Sequence, residues 1–321
     1  MRLSNTSLSK KKTIIRISNE LGNQMFMYAS AFSISRELNR ELHVDDETAF
    51  LSKKNVSTYG LRSFKITSPC APDNLKFKTF LGYIKRKLLI YSNLIRSKKN
   101  FYIEKKEIKK ITRYDDDYKN ISFDNTIFLE GHFESEKYFI KYKNDIKNEF
   151  KFKNENKLKN NPYFMNVNKE NSVAICLRQN RYTEGRGKNT QQNKIKSWNF
   201  TMEQIKYINI AANYIKSKVE NPSFFLWSND FLNIDKKKFK FDYTEVKINN
   251  FDNSSDKRIN DLFLISKCSH FIVIPSTFNW WGAWLSEKNN KIVLRPSDNF
   301  FSDFYVNNQD FWPLNWTTID V

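Results

Sequence analysis

The second half of this chain alternates short apolar runs with amphipathic segments, and that alternation leaves few folds open. The runs lie at 172–177, 223–227, 271–274 and 291–294. Between them, 203–219 carries Ile205, Ile208, Ala212, Ile215 and Val219 at helical spacing. Likewise 256–268 sets Ile259, Leu262, Phe263 and Ser266 on one side, and 278–287 reads as a third helix. Parallel strands need a crossover to bring the chain back, so strand-length runs separated by helices predict an α/β fold with a parallel sheet.

The first half opens the same way. A strand at 13–18 is followed by a polar loop at 19–23, and then Leu21, Met25, Tyr28 and Phe32 share a helical face with Ala29. A second strand begins at 43–45, and another at 125–130 ends in Gly131. Phe80, Ile84, Leu88, Tyr91 and Ile95 fall on one face of a further helix, with Lys85, Arg86 and Lys87 around it. The charged stretch 139–161 also reads as helical. Its end at 160–162 is the expected boundary between two domains, 1–162 and 163–321.

Ligands of an open parallel sheet gather beyond the carboxyl ends of its strands. Three successive strand ends in the second half carry suitable groups. The first ends at Arg178, the second at Ser228, Asn229 and Asp230, and the third at Pro275, Ser276 and Thr277 ahead of a helix. Arginine presents a planar fork to phosphate oxygens. Ser276 and Thr277 can cap the helix, whose N–H groups and dipole attract an anion. Asp230 can accept hydrogen bonds from a base such as guanine. Separately, each residue has a plainer reading: a surface ion pair for Arg178, N-caps for Ser276 and Thr277, a turn for Asp230. Together they fit a nucleoside diphosphate, with two helix-opening loops, 19–24 and 275–279, as the expected site.

Charge supports an anionic partner. The net charge is +19, and 76–113 alone holds 13 Lys/Arg against 2 Glu, a local +11. That segment reads as a solvated helix or as a contact with an anionic membrane. Three well-separated cysteines without C-x-x-C point to free thiols and a reducing compartment. The basic N-terminus lacks the apolar core of a signal peptide, and no run reaches membrane-spanning length, so the expected location is cytoplasmic, with peripheral attachment at the inner membrane as an option. Asp115, Asp116 and Asp117 contain D-x-D but read as a solvated, charge-paired turn. His43, His132 and His270 lack metal-ligand spacing. Trp280 and Trp284 share a helix face and read as core.

Several of these segments are similar to one enzyme family. The string N-E-L-G-N-Q-M-F-M-Y-A at 19–29 resembles the G-G-L-G-N-Q-M-F-Q-Y-A signature of bacterial alpha-1,2-fucosyltransferases, the glycosyltransferase family 11 type. S-T-F-N-W-W-G-A-W-L at 276–285 resembles that family's S-S-F-S-W-W-G-A-W-L, and G-H-F-E-S-E-K-Y-F at 131–139 its G-Y-F-Q-S-E-K-Y-F. Ser228, Asn229 and Asp230 match its S-N-D. One motif departs from the pattern. Where the family has H-x-R-R-x-D, this chain keeps the first arginine as Arg178 but has Cys176 for the histidine, Gln179 for the second arginine and Arg181 for the acid.

The resemblance implies a GT-B-like fold, two Rossmann-like domains facing a central cleft, with an acceptor-side domain at 1–162 and a GDP-sugar-binding domain at 163–321. It implies inverting transfer of L-fucose from GDP-fucose, with no cofactor or metal, to O2 of a terminal galactose on a surface glycan. The oligosaccharide acceptor could be lipid-linked. Arg178 is then the catalytic cation. Gly22, Asn23, Gln24, Cys176, Arg178, Ser228, Asp230, Ser276, Thr277 and Phe278 bind the donor, and His132 lines the acceptor side. Glu20, which replaces a family glycine, is a candidate general base. Two other readings stand beside this one: a divergent member that binds a GDP-sugar with altered or no activity, and a basic nucleic-acid-binding protein, for which no recognition module is visible.

Overall fold

The computed structural model of the protein describes residues 10–51, 57–105, 113–184, 187–247, 257–297 and 308–320. The first nine residues of the basic N-terminus, the 106–112 part of the basic segment and residue 256 of the predicted helix 256–268 lie outside them. The chain forms two compact units, Met1–Lys151 with Gln309–Phe311, and Phe152–Asn308 with Trp312–Val321.

The first unit contains β1 (Lys12–Arg16), α1 (Leu21–Glu37), β2 (Glu41–Asp45), α2 (Phe80–Ser92), β3 (Lys99–Ile103), β4 (Phe123–Glu130) and α3 (Lys143–Glu149). Its four strands are all parallel, in the order β2-β1-β4-β3. The apolar face expected of α1 is buried, but so are Phe26, Met27, Ala31 and Ile34 on its other sides. A helix this apolar all round belongs in the interior. Tyr28 extends from it to donate to Glu149 Oε2 at 2.5 Å, and Thr67 donates to the same carboxylate through N–H and Oγ1, both at 2.6 Å. Burial and this partner together push the Tyr28 hydroxyl pKa far up.

The second unit contains α4 (Glu155–Lys159), α5 (Phe164–Val167), β5 (Ser172–Leu177), α6 (Gln191–Lys216), β6 (Ser223–Ser228), β7 (Thr244–Glu245), α7 (Lys257–Lys267), β8 (His270–Ile272), α8 (Thr277–Leu285) and β9 (Val293–Pro296). The short α9 (Asn308–Phe311) lies in the first unit from Gln309 onward, and the second unit closes with β10 (Thr317–Ile319). Within α9, Phe311 belongs to the first unit and packs there on Phe26. The six strands are all parallel, in the order β10-β9-β8-β5-β6-β7. All six β5 residues are buried, as a central strand covered on both faces requires. Ile205, Ile208, Ala212 and Ile215 of α6 pack against Val173, Ile175 and Leu226. Trp280, Trp281 and Trp284 are buried, so the tryptophans are core, as expected. At Gly282 a Cβ would overlap Ile265, which is why α7 and α8 approach so closely there.

Two expectations change. The stretch 139–161 is not one helix: α3 and α4 are separated by Phe150 and Phe152. Phe150 packs on Tyr28 and Phe64 in the first unit, Phe152 on Phe263 in the second. The chain therefore passes between units at 151–152, ahead of the expected 162. In addition, α6 starts well ahead of the periodic segment 203–219, at Gln191, where Thr190 Oγ1 accepts from Asn193 N–H at 3.2 Å. Its first turns, with Ile195 and Trp198, are exposed and carry no inward apolar stripe.

Candidate functional site

Strand order locates the site in the second unit. Counted from β5, the order across the sheet is 3-2-1-4-5-6, so successive crossovers run one way from β5 through β6 to β7, then the other way from β8. The switch falls between β5 and β8, and the crevice beyond their carboxyl ends is where such sheets bind ligands. Ile175 is paired with Ile272 in this register. The two chains leave the sheet side by side, β5 into Arg178 and β8 into Pro275 and α8.

Arg178 is half-buried. Its Nη2 pairs with Glu184 at 2.5 Å, while its Nε is buried and makes no hydrogen bond. A half-exposed pair of this kind contributes at most about 1 kcal/mol, so an arriving anion can displace Glu184. The backbone of Arg178 is fixed more firmly. Gln204, fully buried on α6, accepts from Arg178 N–H at 2.9 Å and donates to Arg178 O at 2.8 Å and Phe200 O at 3.1 Å. Nothing in the sequence singles out Gln204, since its partner is 26 residues away. Replacing Gln204 with leucine leaves two backbone groups of Arg178 unpaired. The expected loss is about 2–4 kcal/mol of stability, read by urea denaturation.

At the start of α8, Ser276 takes the N-cap position with extended backbone, but its side chain makes no capping hydrogen bond. The expected side-chain cap is therefore not formed. The intrahelical ladder begins with Trp280 N–H donating to Ser276 O at 3.0 Å, so the amides of Thr277 and Phe278 lie ahead of it. A cation with an unspent N–H and a helix start without its side-chain cap, on adjacent strand ends, make a candidate anion site.

Other predicted residues are placed differently. Cys176 is buried within β5, and burial holds its thiol well above the ordinary range. Asp230 is committed to a turn. It accepts from Leu232 N–H at 2.9 Å, Asn233 Nδ2 at 2.7 Å and Asn180 Nδ2 at 3.1 Å. The Asn233 bond, with those from Leu232 and Asn180, outweighs partial desolvation and holds its carboxyl below the usual range. Ser228 Oγ closes the same turn on Asp230 O at 2.8 Å. Asn229 fixes Gln179 through Gln179 N–H at 2.8 Å and Gln179 O at 3.0 Å. The S-N-D residues thus brace the loop after Arg178.

The first unit has its own polar cluster at adjacent strand ends. Asn19, with left-handed backbone (φ 64°), follows β1, and His132 and Glu134 follow β4. Asn19 Nδ2 lies 2.7 Å from His132 Nε2, His132 Nδ1 lies 3.5 Å from Glu134 Oε1, and Asn23 Nδ2 donates to Glu134 Oε1 at 2.6 Å. Beneath them, Glu104 at the end of β3 accepts from His132 N–H at 2.7 Å and Phe133 N–H at 2.9 Å. Burial pushes its carboxyl up to about 7. A Cβ at Gly131 would overlap Glu104, so glycine is what lets the carboxylate reach the loop. Neither Glu104 nor Glu134 was legible as a site residue; G-H-F-E at 131–134 was the only signal.

Gln24 is fully buried and stitches this loop. It donates to Asn19 O at 2.7 Å and Thr58 O at 2.9 Å and accepts from Gly60 N–H at 2.8 Å. Its amide is thus spent on the fold, and the buried Gly22 lies beside it in the same first turn of α1. Glu20 is exposed and accepts from Ser57 Oγ at 2.6 Å. Asp115 and Asp117 pair with Lys105, and Asp116 pairs with Lys119, as expected of a charge-paired turn.

Comparison with known proteins fits this geometry. The chain is 25% identical to an Escherichia coli alpha-1,2-colitosyltransferase, over 96% of this chain and 98% of that protein. It is 26% identical to the E. coli O-antigen biosynthesis glycosyltransferase WbnK, over 87% and 92%. The fold is similar to that of an Arabidopsis thaliana FUT1 mutant in complex with GDP, with a TM-score of 0.52 at 12% identity, covering 90% of this chain and 71% of that one. The family model for glycosyl transferase family 11 matches residues 2–320. The chain is a glycosyltransferase and belongs to glycosyl transferase family 11.

Proposed function

We propose that the protein transfers L-fucose from GDP-fucose, with inversion and without a metal ion, to O2 of a terminal galactose on a bacterial surface glycan. The observation that supports this most is the pairing of Arg178 with the start of α8 at the switch point of the second unit's sheet. In the transfer, the bond from the sugar C1 to the diphosphate oxygen breaks as the acceptor oxygen attacks from the opposite face. Negative charge grows on the diphosphate, and the acceptor proton passes to a base. Arg178 and the backbone amides of 276–278 meet that charge, with Ser276 and Thr277 hydroxyls beside the phosphates. The second unit is the donor side and the first the acceptor side, where His132 and Glu134 hold the sugar hydroxyls. We place the reaction in the cytoplasm.

The likeness to a colitosyltransferase supports a second reading, in which the transferred sugar is colitose, a 3-deoxy analogue of fucose. Turnover of GDP-fucose and GDP-colitose on a galactoside acceptor, each with EDTA present, separates the two. Faster release of GDP with GDP-fucose is expected. Preference for GDP-colitose selects the second reading, and no turnover of either donor defeats both.

A further inference from the structure

The helix α2 packs on the first unit by only part of its circumference. Leu89 and Ile90 meet Phe77, Phe101 and Phe128, and Arg86 Nε donates to Glu130 Oε1 at 2.6 Å. At 100° per residue, the direction opposite this inner face is occupied by Phe80, Leu81, Ile84, Leu88 and Tyr91, while Ile95, expected on the same face, lies beyond the end of the helix. All six are exposed: Phe80 is 78% accessible, Leu81 75%, Leu88 64% and Ile95 89%. An apolar stripe aimed away from the core gains nothing for the fold and needs a partner. Lys85 borders the stripe on one side and Lys87 on the other, both exposed, with Lys87 Nζ lying 4.8 Å from the Tyr83 ring centroid.

We propose that α2 seats the protein on the surface of an anionic lipid bilayer, with the stripe in the headgroup–acyl boundary and the lysines on lipid phosphates. Charge decides between occupants. The segment 76–113 carries a local +11, so a second copy of this face would oppose like charges, whereas an anionic bilayer matches both its apolar and its basic parts. The helix lies on the surface rather than spanning: among the described residues no helix is long and apolar enough to cross a membrane. This inference is independent of the donor sugar.

Cosedimentation with vesicles of phosphatidylcholine, with and without phosphatidylglycerol, tests it. The full-length protein is expected to pellet with the phosphatidylglycerol vesicles and to be released as salt rises. Leu81→Asp with Leu88→Asp should lower that partition by about tenfold or more, since each leucine otherwise leaves water. Lys85→Glu with Lys87→Glu should remove the dependence on anionic lipid. Both variants change exposed positions and should melt like the wild type; if the aspartates alter the melt, the lysine variant carries the test. Partition that ignores lipid charge, or that survives both variants, overturns the proposal. So does a wild type that ignores vesicles and elutes as a dimer split by the aspartates, since the stripe then belongs to a second copy.

Discussion

Arg178→Ala is expected to lower kcat for sugar transfer by about 10²- to 10³-fold, the range for removing one charge-stabilising group from a transition state. The loss should fall on kcat, because the diphosphate gains negative charge only as the C1–O bond breaks. Folding should be little changed, since the side chain's ion-pair partner, Glu184, is itself half-exposed. Arg178→Lys keeps the charge but not the planar fork, and should recover only part of the rate. Glu184→Gln tests the competition for the guanidinium. It should tighten GDP binding, because the anion then no longer displaces a carboxylate. Undiminished turnover in Arg178→Ala would place the leaving-group cation elsewhere.

The second large effect concerns Glu104. Glu104→Ala leaves the part-buried N–H of His132 and the buried N–H of Phe133 without acceptors and should cost about 2–6 kcal/mol. Its acidity adds a pH signature. The carboxyl rises from an ordinary 4.5 to about 7 in the fold, chiefly by burial. A carboxyl raised in this way favours the fold while protonated, and the advantage drains as pH climbs from 4.5 to about 7. Relative to Glu104→Gln, which stays neutral, the wild type should lose about 3 kcal/mol across that window. Urea denaturation of both proteins between pH 4 and 8 measures the difference. A constant gap would mean that folding leaves the Glu104 pKa at its unfolded value.

The architecture was legible where burial is written as periodicity. β5 is apolar at nearly every position, and the inward faces of α7 and of the latter part of α6 carry evenly spaced aliphatics, so the parallel sheet followed. Strand order was not legible, because it depends on pairings across the sheet, and only that order reveals the switch point beside Arg178. The early turns of α6 were not legible because Ile195 and Trp198 are exposed and the segment carries no inward apolar periodicity. The boundary moved from 162 to 151–152 because the two phenylalanines that settle it, Phe150 and Phe152, look alike in sequence and enter different units. Within the candidate site, Arg178 and the α8 start stand out in the sequence by charge and by their place at strand ends. Gln24, Glu104 and Gln204 could not be read as structural clamps. Each acts on backbone groups brought near by the fold, and a clamp of that kind leaves no local pattern. Asp230 is ambiguous for the opposite reason: an acid after a strand suits a base-binding role and a turn equally well, and the fold gives it three local donors.

A crystal structure with GDP bound tests the central claim most directly. The diphosphate should lie at the start of α8, with its oxygens in hydrogen-bonding reach of the Arg178 guanidinium and of the Thr277 or Phe278 amide, and with the Glu184 pair broken. GDP bound away from the carboxyl ends of β5 and β8, or bound there with the Arg178–Glu184 pair intact, would contradict it.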